Sequence, residues 1–250
     1  FSFEDVSFAY DGKEVLRKVS FETIPGAVTA IVGPSGSGKS TIAKLMAGFW
    51  DATSGTVRYG GKDIREIPFD QLMSEVSYVA QDNFLFDMSI RDNIRIGSKD
   101  ATDDEIEAAA KAANCHDFIV GLPQGYNTLA GDAGDRLSGG ERQRITIARA
   151  MLKKASVVIL DEATAYADPE SESLIQQAIG KLIRGKTLVV VAHRLSTICG
   201  ATQILVVEGG EIVGRGTQDE LLSSCPLYRT MWEEHIGAID RVVEGVKQHA

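Results

Sequence analysis

The chain has 250 residues, 44% hydrophobic and 24% charged, enough for one large domain or a core with subdomains. Its 26 basic against 35 acidic residues give a formal net charge of −9, which argues against a nucleic-acid partner. Cys115, Cys199 and Cys225 show no paired spacing, which excludes a disulfide scaffold or a zinc site and points to a reducing compartment.

The predicted elements begin with strands over Phe1–Phe8 and Val19–Ile24, joined near the turn Asp11-Gly12. Opening on Phe1 without a Met, the chain reads as a piece of a longer protein. Ala27–Val32 is a near-continuous apolar run, as expected of a strand buried on both faces. It leads into a glycine-rich loop and a helix whose apolar stripe is Ile42, Leu45, Met46 and Phe49. Thr56–Tyr59 reads as a further strand before the turn Gly60-Gly61. From Asp82 to Ser156 the pattern is helical, with Ser/Thr-x-x-Glu capping boxes at Thr102–Glu105 and Ser138–Glu141. Val157–Leu160 and Thr187–Ala192 are buried strands, separated by a helix that Asp168-Pro169 opens and Leu174, Ile175, Ala178, Ile179 and Leu182 line. Ile204–Val207 and Ile212–Val213 form a hairpin around Gly209-Gly210, Thr217–Glu220 caps another helix, and a polar helical tail follows from Met231. No apolar run approaches the ~18 residues of a bilayer span.

The chemistry lies in three strings. Gly33-Pro34-Ser35-Gly36-Ser37-Gly38-Lys39-Ser40-Thr41 fits the pattern of a phosphate loop, G-x-x-x-x-G-K-[S/T]. Its glycines let successive N–H groups turn around phosphate oxygens, Lys39 reaches the β- and γ-phosphates, and the Ser40 hydroxyl can ligate Mg²⁺. The flanking strand and helix place a helix N-terminus behind the anion. Val157-Val158-Ile159-Leu160-Asp161-Glu162 is a buried strand ending in two acids. Asp161 suits a Mg²⁺ ligand and Glu162 a general base for an attacking water. Leu137-Ser138-Gly139-Gly140-Glu141 reads by itself as a capping box, yet two glycines in a first turn are costly there and suit close approach to an anion.

Together these strings, in this order and with Arg142-Gln143-Arg144 after the last, resemble the nucleotide-binding domain of ABC transporters over about residues 1–235. The resemblance implies an α/β fold: a P-loop NTPase (RecA-like) core with an antiparallel β subdomain, about 1–82 and 157–232. A helical subdomain is inserted at about 83–156, and 233–250 is a helical tail. It implies Mg-ATP as ligand, with Ser40, Gln81 and Asp161 at the metal and Tyr10 stacked on adenine. His193 would contact the γ-phosphate and hold the water with Glu162. Ser138, Gly139 and Gly140 would meet the ATP held by a second copy, so that two domains dimerise head to tail. Membrane domains would dock near Gln81–Ile94, where Phe84 and Phe86 sit among polar neighbours. That places the domain at the cytoplasmic face of a bacterial cell membrane, soluble as a fragment.

Two stretches depart from the family pattern. Ala163-Thr164-Ala165-Tyr166-Ala167-Asp168 replaces the usual Ala-Thr-Ser-Ala-Leu-Asp, and Leu129–Asp135 replaces Thr-x-Val-Gly-Glu. Both resemble a bacterial subgroup of exporter-shaped half-transporters, some of which import iron–siderophore complexes. A soluble cassette ATPase of DNA repair or translation is the alternative. Those carry long coiled coils or paired cassettes, and this chain has one cassette and no sustained heptads.

Overall fold

A computed structural model describes residues 1–161, 169–192 and 195–236. In chain order the elements are β1 (Ser2–Tyr10), β2 (Lys13–Glu22), β3 (Val28–Val32), α1 (Lys39–Met46), β4 (Ser54–Tyr59), β5 (Lys62–Asp63), α2 (Phe69–Glu75), β6 (Val76–Val79), α3 (Ile90–Arg95), α4 (Asp103–Ala112), α5 (His116–Gly121), α6 (Gly139–Lys153), β7 (Val157–Asp161), α7 (Pro169–Leu182), β8 (Thr187–Val191), β9 (Gln203–Glu208), β10 (Glu211–Gly216) and α8 (Gln218–Ser224). They fall into two compact units, Phe1–Phe69 with Val189–Ala250, and Asp70–Leu188.

In the first unit an antiparallel sheet runs in the order β2-β1-β4-β5. Phe3, Val6, Phe8, Leu16, Val19 and Phe21 of β1 and β2 are buried. Irregularities in the ladder, with Asp5 and Lys18 at positive φ, absorb the three-residue steps from Phe3 to Val6 and from Leu16 to Val19 that plain alternation would not allow. Phe3 stacks on Phe21 across the ladder at 4.6 Å. Both strands are longer than their apolar residues suggest. β2 begins at Lys13 because Lys13, Glu14, Arg17 and Lys18 occupy exposed positions of a paired strand. In the same unit β3 runs parallel to β9, Thr29 opposite Gln203 and Val32 opposite Val206, and β9 turns back as β10. Ala30, Val32, Ile204 and Val206 share a core with Leu221 and Tyr228. The helix after the glycine loop is shorter than predicted. It ends at Met46 with Ala47 as cap, the chain turns at Gly48 (φ 69°), and Phe49 is exposed instead of completing the stripe.

In the second unit β6 and β7 pair in parallel, Val76 opposite Val157 and Val79 opposite Leu160. α2 and β6 have no counterpart among the elements predicted from the sequence. The capping boxes at Thr102 and Ser138 form as predicted, as does a third at Thr217 in the first unit. Ile106, Ala109 and Ala110 of α4, Ile145, Ala148 and Leu152 of α6, and Ile175, Ala178 and Leu182 of α7 are buried. Cys115 and Cys225 are buried thiols and Cys199 an exposed one. Burial pushes the Cys115 thiol up to about 12, so it stays protonated and inert. No helix among the described residues is long and apolar enough to cross a membrane.

Candidate functional site

The loop between β3 and α1 is built as an anion cradle. The strand is buried on both faces, and the helix starts at Lys39 with Gly38 as its N-cap and no side-chain cap bond. A glycine has no side-chain oxygen to cap the first turn, so the helix start does not cap itself. Gly38 sits at φ 105°, which strains any other residue, and a Cβ there would also push on Leu16 Cδ2 at 2.6 Å. Lys39 is only 4% exposed. Its Nζ donates to the carbonyls of Gly33 at 3.0 Å and Pro34 at 2.9 Å, which draws the loop around the ammonium. The Ser37 hydroxyl is buried and has no hydrogen-bond partner, an unmet polar atom in the wall of the loop. An uncapped helix start, an ammonium inside the loop and this hydroxyl fit a phosphate ligand.

Tyr10, at the end of β1, sits in a triangle of rings. It meets Phe8 edge-on at 4.7 Å and Trp50 edge-on at 5.6 Å, and Phe8 and Trp50 are 6.2 Å apart. Trp50 went unread in the sequence; its place just past the helix after the phosphate loop gave no pairing with a residue forty positions earlier.

In the second unit, Asp161 ends β7 and is 6% exposed. The Tyr78 hydroxyl donates to its Oδ2 at 2.6 Å. A buried carboxylate held by a donor is the kind of group that ligates a hard cation. Gln81 is exposed in the turn after β6, and its carbonyl accepts from Asn83 Nδ2 at 3.2 Å. Ser138 is the N-cap of α6: its Oγ accepts from the Glu141 N–H at 3.3 Å, while Glu141 Oε2 accepts from the Ser138 N–H at 2.8 Å. Gly140 is required by packing as well, since a Cβ there would lie 2.7 Å from Ser171 Cβ. Tyr10 and residues 33–41 thus belong to the first unit, and Gln81, Ser138–Gly140 and Asp161 to the second. Glu162, His193 and the variant loop 163–168 lie outside the described residues.

The segment after Gln81 is split in its exposure. Leu85 is fully buried, while Phe84 and Phe86 are 44% and 47% exposed and meet edge-on at 5.1 Å. A buried asparagine holds the loop from Phe86 to Ser89, and Arg149 Nη1 donates to the Phe84 carbonyl at 3.4 Å. Asn93 Oδ1 accepts from the Phe86 N–H at 2.9 Å and Arg149 Nη2 at 3.1 Å. Its Nδ2 donates to the carbonyls of Phe86, Met88 and Ser89. Arg149 Nε also donates to Asn93 O at 2.9 Å. Burial lowers the Arg149 guanidinium to about 10, which leaves it charged at neutral pH.

A family model described as ABC transporter matches residues 16–165. The mycobactin import ATP-binding/permease protein IrtA of Mycolicibacterium smegmatis is 50% identical over 232 residues, 92% of this chain and 27% of that protein. Human ATP-binding cassette sub-family B member 6 is 48% identical over 232 residues, 92% of this chain and 28% of its own length. The chain thus spans about a quarter of these curated relatives. A solved bacterial Atm1-family ABC exporter with ATP bound superposes with a TM-score of 0.88 at 41% identity, covering 93% of this chain and 41% of that one. With the phosphate loop, the strand-end carboxylate and the capped glycine turn in the places described, the chain is an ATP-binding domain of the ABC transporter family.

Proposed function

We propose that the chain binds Mg-ATP, pairs head to tail with a second such domain around the nucleotide, and hydrolyses it to drive membrane domains of a longer protein. The loop that wraps Lys39 at the uncapped start of α1 carries this reading. Lys39 and the loop N–H groups hold the β- and γ-phosphates. Ser40, Gln81 and Asp161 hold the metal, which when bound supplies charge neutralisation at the phosphates. Glu162 takes the proton of the attacking water, with His193 beside it at the γ-phosphate. Ser138–Gly140 of the opposite copy donate to the same phosphate and stabilise the charge that grows on it. In this role the Ser138 cap is useful twice: a hydroxyl that accepts from the Glu141 N–H keeps its own proton to donate outward.

In this reading Phe84 and Phe86 offer an aromatic face to membrane domains, and the domain works at the cytoplasmic face of a bacterial membrane. The permease and exporter relatives favour this over the soluble cassette ATPase. The likeness to a mycobactin import protein supports the half-transporter subgroup suggested by residues 129–135 and 163–168; the cargo itself is chosen by the membrane domains.

Two results are expected. Tyr10→Ala weakens ATP by about 1–2 kcal/mol, the scale of aromatic stacking on a base, while Tyr10→Phe and Tyr10→Trp are mild in calorimetric titration. Equal weakening by all three would make Tyr10 a structural ring in the Phe8–Trp50 triangle. Phe84→Ser and Phe86→Ser leave ATP binding by this chain intact and uncouple hydrolysis from transport in the full transporter. A fall of many degrees in the melting temperature of the chain would assign them to the core instead.

A further inference from the structure

β6 and β7 are parallel neighbours, with Tyr78 opposite Ile159. Side chains two apart on a strand share a face, so Ile159 and Asp161 point the same way. Tyr78 starts level with Ile159, and its length carries its hydroxyl along that face to Asp161. The oxygens are 2.6 Å apart across 83 residues of sequence, the distance of a charge-assisted bond to a carboxylate. The same tyrosine is among the residues that line a cavity of about 230 Å³, with Asn83, Phe84, Ile96 and Arg149. Tyr78 therefore belongs both to the cavity that Phe84 also lines and, through its hydroxyl, to the strand-end carboxylate.

We infer that Tyr78 is a positioning residue for the metal site: its hydroxyl fixes the rotamer of Asp161 so that the carboxylate is presented to Mg²⁺. The inference rests on the proposed role of Asp161 as a metal ligand. A buried carboxylate that loses a donor turns toward whatever donor remains, and the partners that orient a ligating group set metal affinity by ten- to a hundredfold. Tyr78→Phe removes the hydroxyl and keeps the ring, so the packing of the side chain is preserved.

The test is Mn²⁺ binding to the chain saturated with a non-hydrolysable ATP analogue, followed by the loss of the free-ion paramagnetic resonance signal. Tyr78→Phe is expected to weaken Mn²⁺ about tenfold and to leave analogue affinity in EDTA unchanged. Asp161→Asn should weaken Mn²⁺ at least as much, and adding Tyr78→Phe to it should cost nothing more. Mn²⁺ affinity within twofold of wild type in Tyr78→Phe, with Asp161→Asn impaired, overturns the role of Tyr78 alone. An equal loss of analogue affinity in EDTA overturns it too, since a merely structural tyrosine would do that. Unchanged Mn²⁺ affinity in Asp161→Asn removes the metal-ligand reading and this inference with it.

Discussion

Glu162→Gln is expected to stop ATP turnover and to convert the chain into an ATP-dependent dimer. The amide keeps the shape of the carboxylate and cannot take the proton of the water. Lys39, Ser40 and Asp161 are untouched, so Mg-ATP still binds. Unhydrolysed, it then bridges the glycine loop of one copy and Ser138–Gly140 of the other. Wild type is expected to form the same dimer only transiently. Adding Ser138→Arg should return the protein to monomer, because it removes the cap of α6 and sets a bulky side chain where the opposite nucleotide must approach. Light scattering with and without Mg-ATP distinguishes the three proteins. Near-normal turnover in Glu162→Gln would remove the base assignment. An inactive protein that stays monomeric with ATP would overturn the shared site as a property of this chain by itself.

Lys39→Ala is expected to abolish ATP binding in calorimetric titration, and the structure adds a second effect. The ammonium is buried against the carbonyls of Gly33 and Pro34. Its removal strands a buried acceptor, at a cost of about 1–3 kcal/mol. A lower melting temperature should therefore accompany the loss of affinity. ATP affinity equal to wild type would show that Lys39 serves the loop and not the phosphates.

What could be read in the sequence was local. The capping boxes at Thr102, Ser138 and Thr217 involve residues three apart, so their bonds are written in the string itself. The run Ala27–Val32 announced β3 because burial on both faces removes any need for alternation. β6 was missed because it has only four residues, Val76–Val79, one of them a serine, and α2 before it buries only Leu72. The stripe ran past Met46 because Phe49 falls at helical spacing, and the apolar pattern alone does not show that the chain turns at Gly48. The partners of Tyr78 and Tyr10 depend on strand register and on contacts dozens of residues away, which periodicity does not carry. Asn93 looked like a polar loop residue since everything it binds on the preceding loop is backbone, and backbone has no signature in the sequence.

The clamp around Asn93 also has a mechanical side. A lever transmits a push only if it is stiffer than the thing it moves. Residues 84–89 are not in a helix or strand, and without the clamp a load on Phe84 or Phe86 would be lost in bending the loop. With the amide of Asn93 bound at four loop atoms and a guanidinium from α6 braced behind it, the loop that carries the aromatic pair is tied to both α3 and α6. That guanidinium comes from α6, which starts at Gly139 with Ser138 as its cap, so the stiffness of the aromatic face is shared with the helix whose first turn is the glycine turn.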